Sequence, residues 1–448
     1  MAMGTHAPEQ VPIFFTADQL PQAPTTPFFD KLNEVLDQMG FDAYVEKLCR
    51  AFYAERMGRP SLAPGVYFRL LLLGYLLGID SERGIALTVS DSLSLRRFLG
   101  YELHQSPPDH STISRTRRRI SREAHEQVFA WVLQQLREAG LAEGRTVAVD
   151  ATMLFANAAL RTLQRKHSKE GYRQFVQGLA EAAGVATPTL EELAAFDRKR
   201  KGKTLSNQEW ESPTDPDARV AKMKNGATHM AHKAEHAVDL ASGAMLAVTL
   251  QAADQGDTTT LGVSLEAVAA AQGEAAAQVV ADKGYHSDAV LLELEAAGQE
   301  AHIPEPQRAE RDFRGKPETE RVVKGNRERV ASAAGKCLQK QRTEKVERSM
   351  AHMYETGGMR RLYLRGRANI RKRLLVHACG FNLGVLMRAV TGIGTPRSLQ
   401  GQGRQLASNL YFAVYLPLRG ACSGLLGALK GLLGLPWENR SKHAEKLA

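Results

Sequence analysis

The chain has 448 residues, a formal net charge of +10 and a sequence pI of about 9.4. This length allows two or three domains with a sizeable core, and the basic balance favours a polyanionic partner, because each neutralised phosphate releases counterions. The four cysteines include no CxxC pair, which argues against a zinc site or a disulfide framework and favours a reducing cytoplasm.

The first 140 residues divide into an arm and a helical domain. Residues 1–30 carry five prolines and are predicted to form an irregular arm. The opening MAMGTHAPEQ lacks the layout of a signal peptide, so we expect a cytoplasmic protein. Apolar residues then recur at three- and four-residue spacing, which predicts an all-α domain over 31–142. The apolar run 70–79 is far shorter than the ~20 residues that span a bilayer and is interpreted as a soluble helix core.

A basic helix is predicted late in this domain. The segment DHSTISRTRRRIS (109–121) has a plausible N-cap in Ser111, followed by a cluster of arginines. It fits the DNA-facing helix of a helix-turn-helix-like unit, although a solvated basic face would have the same pattern. The candidate DNA contacts are Arg115, Arg117, Arg118 and Arg119.

At Arg145 the apolar period changes from helical to alternating, which marks the start of an α/β domain over 143–392. RTVAVDATML predicts a strand, and two further runs around Ser242-Gly243 predict a hairpin. Between them, residues 157–222 are polar and proline-punctuated and are predicted to be a flexible loop or an interaction excursion.

The second half of this domain alternates between helices and strands. We predict a helix over 261–272, the strand AQVVAD ending at Asp282, a helix over 287–297 and, from about Glu344, a long helical region after the polar stretch 305–345. This order gives a mixed sheet flanked by helices. The Gly/Leu-rich stretch 420–436 is also interpreted as a soluble helix core, and the tail 393–448 has no assigned role.

Two carboxylates stand where metal chemistry would need them. Asp150 interrupts the apolar strand VAVDAT, and Asp282 ends the strand QVVAD. A buried aspartate is unfavourable unless it is hydrogen-bonded or bound to a cation, and Mg²⁺ prefers hard oxygen ligands. Asp150 on a solvent-facing edge strand, or Asp282 as a simple N-cap, would explain each one singly.

Four segments together resemble the bacterial insertion-sequence transposases with a DDE triad. They are VAVDATML, Gly256-Asp257-Thr258, VVADKGYHS and EKVERSMAHMYETGGMRRLYLRGRANI, and the resemblance covers roughly residues 60–390. It implies a ribonuclease-H-like catalytic domain, Mg²⁺ with Mn²⁺ as a substitute, and double-stranded DNA at element ends and target site. It also implies a homo-oligomer on DNA, with neither a membrane nor a small-molecule substrate. The implied catalytic and metal-binding triad is Asp150, Asp282 and Glu347.

The third acid matches the family signature imperfectly. Around its glutamate the family often has Tyr-x2-Arg-x3-Glu-x6-Lys, whereas the positions set by Glu347 hold Lys340, Thr343 and Tyr354. Arg342 is one place off. Glu347 is preferred over Glu344 because VERSMAHMYETGG follows the family pattern in register.

Basic and aromatic residues near these segments are candidates for DNA contact, because arginine forks suit phosphates and aromatic rings can stack on unpaired bases. The clearest patch runs from Arg342 to Arg373. The triplet His229, His232 and His236 could suggest zinc but is interpreted as surface or DNA-adjacent. The candidates outside the first domain are Lys224, Lys233, Lys283, His286, Arg348, Tyr354, Arg360, Arg361, Arg365 and Arg367.

The sequence therefore predicts a transposase that binds terminal inverted repeats and catalyses metal-dependent DNA cleavage and strand transfer. Two alternatives stay open. One is a decayed or repurposed transposase that only binds DNA, which the degraded glutamate signature would fit. The other is a nuclease of the same fold.

Overall fold

A computed structural model describes residues 26–399 apart from 56–57, 59–60, 186–187, 202–205, 224 and 308–310. Residues 1–25 of the predicted arm, the stretch 420–436 and nearly all of the predicted tail lie outside the described residues. Residues 26–30, expected in the arm, instead begin the first helix.

The first domain is all helical, as predicted. Serine and aspartate N-caps begin several of its helices: Ser81, Asp109 and Ser121 each accept a backbone N–H three residues further on. The third helix buries the apolar run predicted to be a helix core. The α-helices of its described residues are α1 (Thr26–Gln38), α2 (Phe41–Cys49), α3 (Pro64–Leu77), α4 (Glu82–Asp91), α5 (Leu93–Phe98), α6 (His110–Arg119) and α7 (Arg122–Glu138).

The second domain is built on a six-stranded mixed sheet. Its central strand pairs antiparallel with the long hairpin strand on one side and parallel with a short strand on the other. The spatial order is β4-β5-β1-β7-β8, with β6 also paired to β5. These strands are β1 (Thr146–Phe155), β4 (Arg219–Lys222), β5 (Thr228–Asp239), β6 (Met245–Ala252), β7 (Gln278–Val280) and β8 (Glu300–His302).

Helices cover both faces of this sheet, so its strands are buried on both sides. On one face, Val346 packs against Ala148, Val238 and Val280. The other face joins the main core. The helices are α10 (Asp257–Gln272), α11 (Asp288–Ala296), α12 (Pro317–Ala331), α13 (Ala333–Met350), followed by a π-helical turn (Ala351–Thr356), and α14 (Arg367–Thr391). The prediction that helix resumes only at about Glu344 was therefore wrong.

The described residues of the segment 157–222 are folded, which corrects the prediction of a flexible loop. It contains β2 (Gln164–Arg165), α8 (Tyr172–Ala182), α9 (Leu190–Lys199) and β3 (Trp210–Glu211). Trp210 is 4% exposed and packs with Leu163, Ala218 and Met230. This small apolar cluster forms a core for the segment, which its largely polar composition did not indicate.

The long helix α14 joins the two domains. It packs against α3, α6 and α7 of the first domain and against β6 of the sheet. By length and composition it is the one helix in the described part of the chain that could cross a membrane, but 72% of its most apolar window is buried inside the protein. Such burial is what a core helix requires.

Candidate active site

The two predicted aspartates lie side by side at one edge of the sheet. In the parallel pairing of β1 with β7, Ala148 is opposite Val280, and each aspartate comes two residues further along its own chain. Asp150 therefore belongs to a central strand and not to an edge strand. Because the carboxyl ends of parallel strands meet at one edge, the fold brings Asp150 and Asp282 together.

Asp150 is in a half-buried position with one charged partner. Arg342 of α13 donates from Nη1 to its Oδ2 at 2.8 Å, and the two side chains are 13% and 26% exposed. Burial raises the pKa of Asp150, Arg342 opposes that rise, and the negative charge of Asp282 adds to it. Asp150 is thus paired with one cation, Arg342, and repelled by the charge of Asp282.

Asp282 begins the tight turn Lys283–Tyr285, and its Oδ1 accepts the N–H of Gly284 at 2.8 Å. Asp282 is therefore the N-cap of this turn, and it also lies two residues after the end of β7. Lys283 is exposed next to it, whereas His286 is 4% exposed. Of these two residues, only Lys283 is accessible at the surface.

The third predicted acid lies on α13, which crosses the sheet close to Asp150. Val346, immediately before Glu347, is buried against Ala148, and Ser349 donates to or accepts from Nδ1 of His236 at 2.8 Å. Glu347 itself is exposed. Within the described ranges, no group of three or more His, Cys, Asp and Glu side chains is close enough to hold a metal ion.

The alternative glutamate has a different surrounding. Glu344 is exposed and accepts from Arg348 at 3.0 Å. It precedes the buried Val346 by two residues, which on an α-helix places it roughly 160° around from the face that meets the sheet. Glu347 is only about 100° from that face. Of the two glutamates, Glu347 thus lies nearer to the face of α13 that meets the sheet.

Several predicted DNA contacts are buried and need correction. Lys233 is 1% exposed and pairs with Asp257 at 2.5 Å. Arg117 is 7% exposed and pairs with Glu82. Tyr354 is 1% exposed and shares a hydrogen bond with Nε2 of His236. These side chains hold the interior together, because a buried charge or hydroxyl needs a partner.

Two of the three histidines, His232 and His236, are also buried, so the prediction that they lie at the surface was wrong. His232 and His236 point to the same face of β5 and are fully buried. His232 bonds Asp215 at 3.0 Å, and His236 lies opposite Asp150 across the strand pair. Burial lowers the pKa of His236 to about 3, which keeps the ring neutral. Neither ring is arranged as a zinc ligand within the described residues.

The remaining candidates are mostly accessible. Arg360 is half-buried and donates to Oγ1 of Thr152 at 3.0 Å, close to Asp150. Arg367 is also half-buried, and its backbone N–H donates to Asp217 at 2.9 Å. Lys224 lies outside the described residues. Exposed side chains belong to Arg115, Arg118, Arg119, Arg348, Arg361 and Arg365.

Two features of this edge were not predicted as site residues. Arg342 contacts Asp150 directly. In the sequence it stands one residue from the position of the arginine in the family signature, and this near match could have identified it. Asp257, from the Gly-Asp-Thr segment, lies beside Asp282: a Cβ built on Gly284 would be 2.8 Å from Oδ2 of Asp257 and 3.0 Å from Oδ1 of Asp282. A further carboxylate therefore lies against the turn that carries Asp282.

The sequence matches two family models. Residues 17–119 match a transposase domain (DUF772), and residues 200–383 match a transposase DDE domain. The second match includes Asp282 and Glu347 but begins after Asp150. No curated protein matches the chain significantly.

The fold is weakly similar to two solved structures: a Mos1 transposase paired-end complex with the left transposon end, and a pre-cleavage Mos1 transpososome. Each is 12% identical in sequence, and the alignment covers 68% of this chain and 82% of the other. The TM-scores are 0.18 and 0.17, so this likeness carries no argument about the site.

Proposed function

Because the chain belongs to the DDE transposases of insertion sequences, we propose that it binds the terminal inverted repeats of its element and catalyses DNA cleavage and strand transfer at the edge that holds Asp150 and Asp282. This proposal rests on one observation: Asp150 and Asp282 occupy equivalent positions on adjacent parallel strands, each two residues beyond the opposed pair Ala148 and Val280. The path from β6 through its partner β5 to β1, β7 and β8, with β7 and β8 parallel to β1, supports a ribonuclease-H-like catalytic domain.

The residues at this edge fit Mg²⁺, with Mn²⁺ as a substitute. Asp150 and Asp282 offer hard carboxylate oxygens, their mutual repulsion is relieved by a cation, and Glu347 is the proposed third ligand. When bound, such metal ions activate the attacking oxygen and stabilise the leaving oxygen of a phosphodiester.

The protein's own groups prepare this chemistry. Arg342 favours the ionised form of Asp150, because it opposes the rise in pKa that burial causes. A guanidinium at 2.8 Å from that carboxylate is also placed to contact a phosphate oxygen that enters the site. Asp282 is held by its bond to the Gly284 N–H, so its orientation is set before DNA arrives.

We further propose that exposed basic residues position DNA. Lys283 lies next to Asp282, and Arg348, Arg361 and Arg365 are exposed as well. The half-buried Arg360 donates to Thr152, two residues from Asp150. Phosphate contacts of this kind fix orientation without reading sequence. On α6, the exposed Arg115, Arg118 and Arg119 are proposed to contact DNA from the helical domain. We propose a homo-oligomer on paired ends, acting in the cytoplasm.

The test is strand cleavage and joining on DNA that carries the inverted repeats flanking the gene, with Mg²⁺ present. Asp150→Asn keeps the shape of the side chain but removes a charged metal ligand, so we expect a loss of at least about a hundredfold in cleavage. The exposed Asp91→Asn at the end of α4 is the matched control and should cleave normally. Full cleavage by Asp150→Asn would refute the assignment. Cut but unjoined products from the wild type would indicate a nuclease.

A further inference from the structure

A buried cluster of charged and hydroxyl groups lies directly behind the proposed catalytic edge. Lys233 and Glu235 of β5 point to the face opposite Asp150 and are 1% and 0% exposed. Lys233 donates to Oγ1 of Thr260 at 2.8 Å and lies 3.7 Å from Oε1 of Glu235. Burying such charges is unfavourable unless every one is paired, so the cluster must be specified by a structural or functional need.

This cluster holds the turn that carries Asp282 at two points. The hydroxyl of Tyr285, three residues after Asp282, donates to Oε1 of Glu235 at 2.7 Å. Asp257, at the start of α10, pairs through Oδ1 with Lys233 at 2.5 Å. Its other oxygen, Oδ2, lies against Gly284 in the middle of the same turn.

The close approach explains why position 284 is glycine. A Cβ there would be 2.8 Å from Oδ2 of Asp257, inside the distance that real Cβ atoms keep, and 3.0 Å from Oδ1 of Asp282. Asp257 therefore fills the space of the missing side chain and restricts the turn from one side. The buried ammonium of Lys233 holds Asp257 in that place, because Asp257 is 2.5 Å away whereas its other acidic neighbour, Glu235, is 3.7 Å away.

We propose that Asp257, held by the buried Lys233, is a positioning residue that sets the place of the Asp282 carboxylate for metal binding. This rests on the proposed function of Asp282. Groups that orient a metal ligand without touching the metal commonly change metal affinity or activity by about 10–100-fold when they are removed. Asp257→Asn keeps the volume of the side chain and removes its charge, which releases Lys233.

The experiment measures Mn²⁺ binding by calorimetry and amide hydrogen exchange of residues 280–287 in the metal-free protein. Asp257→Asn and Lys233→Met should each weaken Mn²⁺ binding about tenfold or more and speed exchange in the turn. The double variant should be no weaker than the single ones, because the pair acts as a unit. Glu266→Gln, an exposed acid on the same helix, is the control and should behave as the wild type.

Wild-type Mn²⁺ affinity and wild-type exchange in folded Asp257→Asn would overturn the inference. Should that variant fail to fold, Gly284→Ala tests the same contact from the other side: it should weaken binding, and unchanged affinity would equally overturn the inference. Asp150→Asn separates the two proposals. If the wild type binds Mn²⁺ no better than Asp150→Asn, the proposed function is wrong, while the exchange of the turn still decides whether Asp257 positions it.

Discussion

Replacing Lys372 should weaken the connection between the two domains far more than replacing its neighbour Arg371. Lys372 of α14 is 7% exposed, and its ammonium donates to the carbonyl oxygens of Arg117 and Ile120 at the end of α6, at 2.9 and 2.7 Å. Burial lowers its pKa, and the charge of Arg117 lowers it further. The lysine thus acts as a buried cap on carbonyls that the helix itself leaves unpaired.

The expected magnitude follows from these two bonds. Hydrogen bonds to a charged group contribute about 1.5–3 kcal/mol each, so Lys372→Met removes at most roughly 6 kcal/mol. The variant also removes the unfavourable burial of an ammonium, which offsets part of that loss. We expect a net decrease of about 2–3 kcal/mol in the free energy of unfolding. Arg371→Met loses a pair with Glu126 at 2.8 Å between partly exposed side chains, so its effect should stay below about 1 kcal/mol.

Urea unfolding followed by circular dichroism at pH 7 measures both variants under the same conditions. A decrease for Lys372→Met no larger than that for Arg371→Met would contradict this prediction. In that case the carbonyls of α6 would be satisfied by water, and the ammonium would contribute nothing to the packing of α14 against the helical domain.

Two further predictions concern pH. Burial lowers the pKa of His125 to about 4, below its ordinary value of 6.5, so the neutral ring stabilises the fold above about pH 6.5 and this stability is lost as the pH falls toward 4. His125→Gln should therefore reduce the slope of the unfolding free energy against pH in this window, by up to about 1.4 kcal/mol per pH unit. The exposed His110→Gln should leave that slope unchanged, and equal slopes for the two variants would contradict the prediction. Removing Arg342 should raise the pKa of Asp150, since the guanidinium opposes the rise that burial causes, and metal ligands must be deprotonated. The acid limb of cleavage in Arg342→Ala should move to higher pH, less so in Arg342→Lys, and an unmoved limb would show that Asp150 does not depend on this pair.

Four strands of the sheet, β1, β5, β6 and β7, and the two aspartates could be predicted because their signals are local. Alternation of apolar residues predicts β1 and the hairpin, and an aspartate within VAVDAT together with one at the end of QVVAD is unusual for apolar strands. The register that brings Asp150 level with Asp282 follows from the parallel pairing of their strands. Metal binding by Asp150, Asp282 and Glu347 stays a prediction.

The predictions that were wrong concern partners distant in sequence. Lys233 and Tyr354 have the residue types of DNA contacts, but their partners Asp257 and His236 lie in other elements. No local pattern shows that a lysine is buried. The predicted start of the helical region, at about Glu344, falls inside α13. Only three residues of α13 are buried, Gly335, Val346 and Ser349, so almost no apolar stripe marks this helix in the sequence.

The shared position of α14 limits how this protein can be recombined. Its side chains complete the helical bundle through contacts with α3, α6 and α7, yet in the chain it follows every strand of the sheet. A chimera that exchanged residues 26–138 for another element's helical domain would keep an α14 shaped for the old one, with Lys372 and Arg373 facing carbonyls that are no longer there. New end specificity therefore has to be introduced on the exposed face of α6, or α14 has to be exchanged together with the helices it completes.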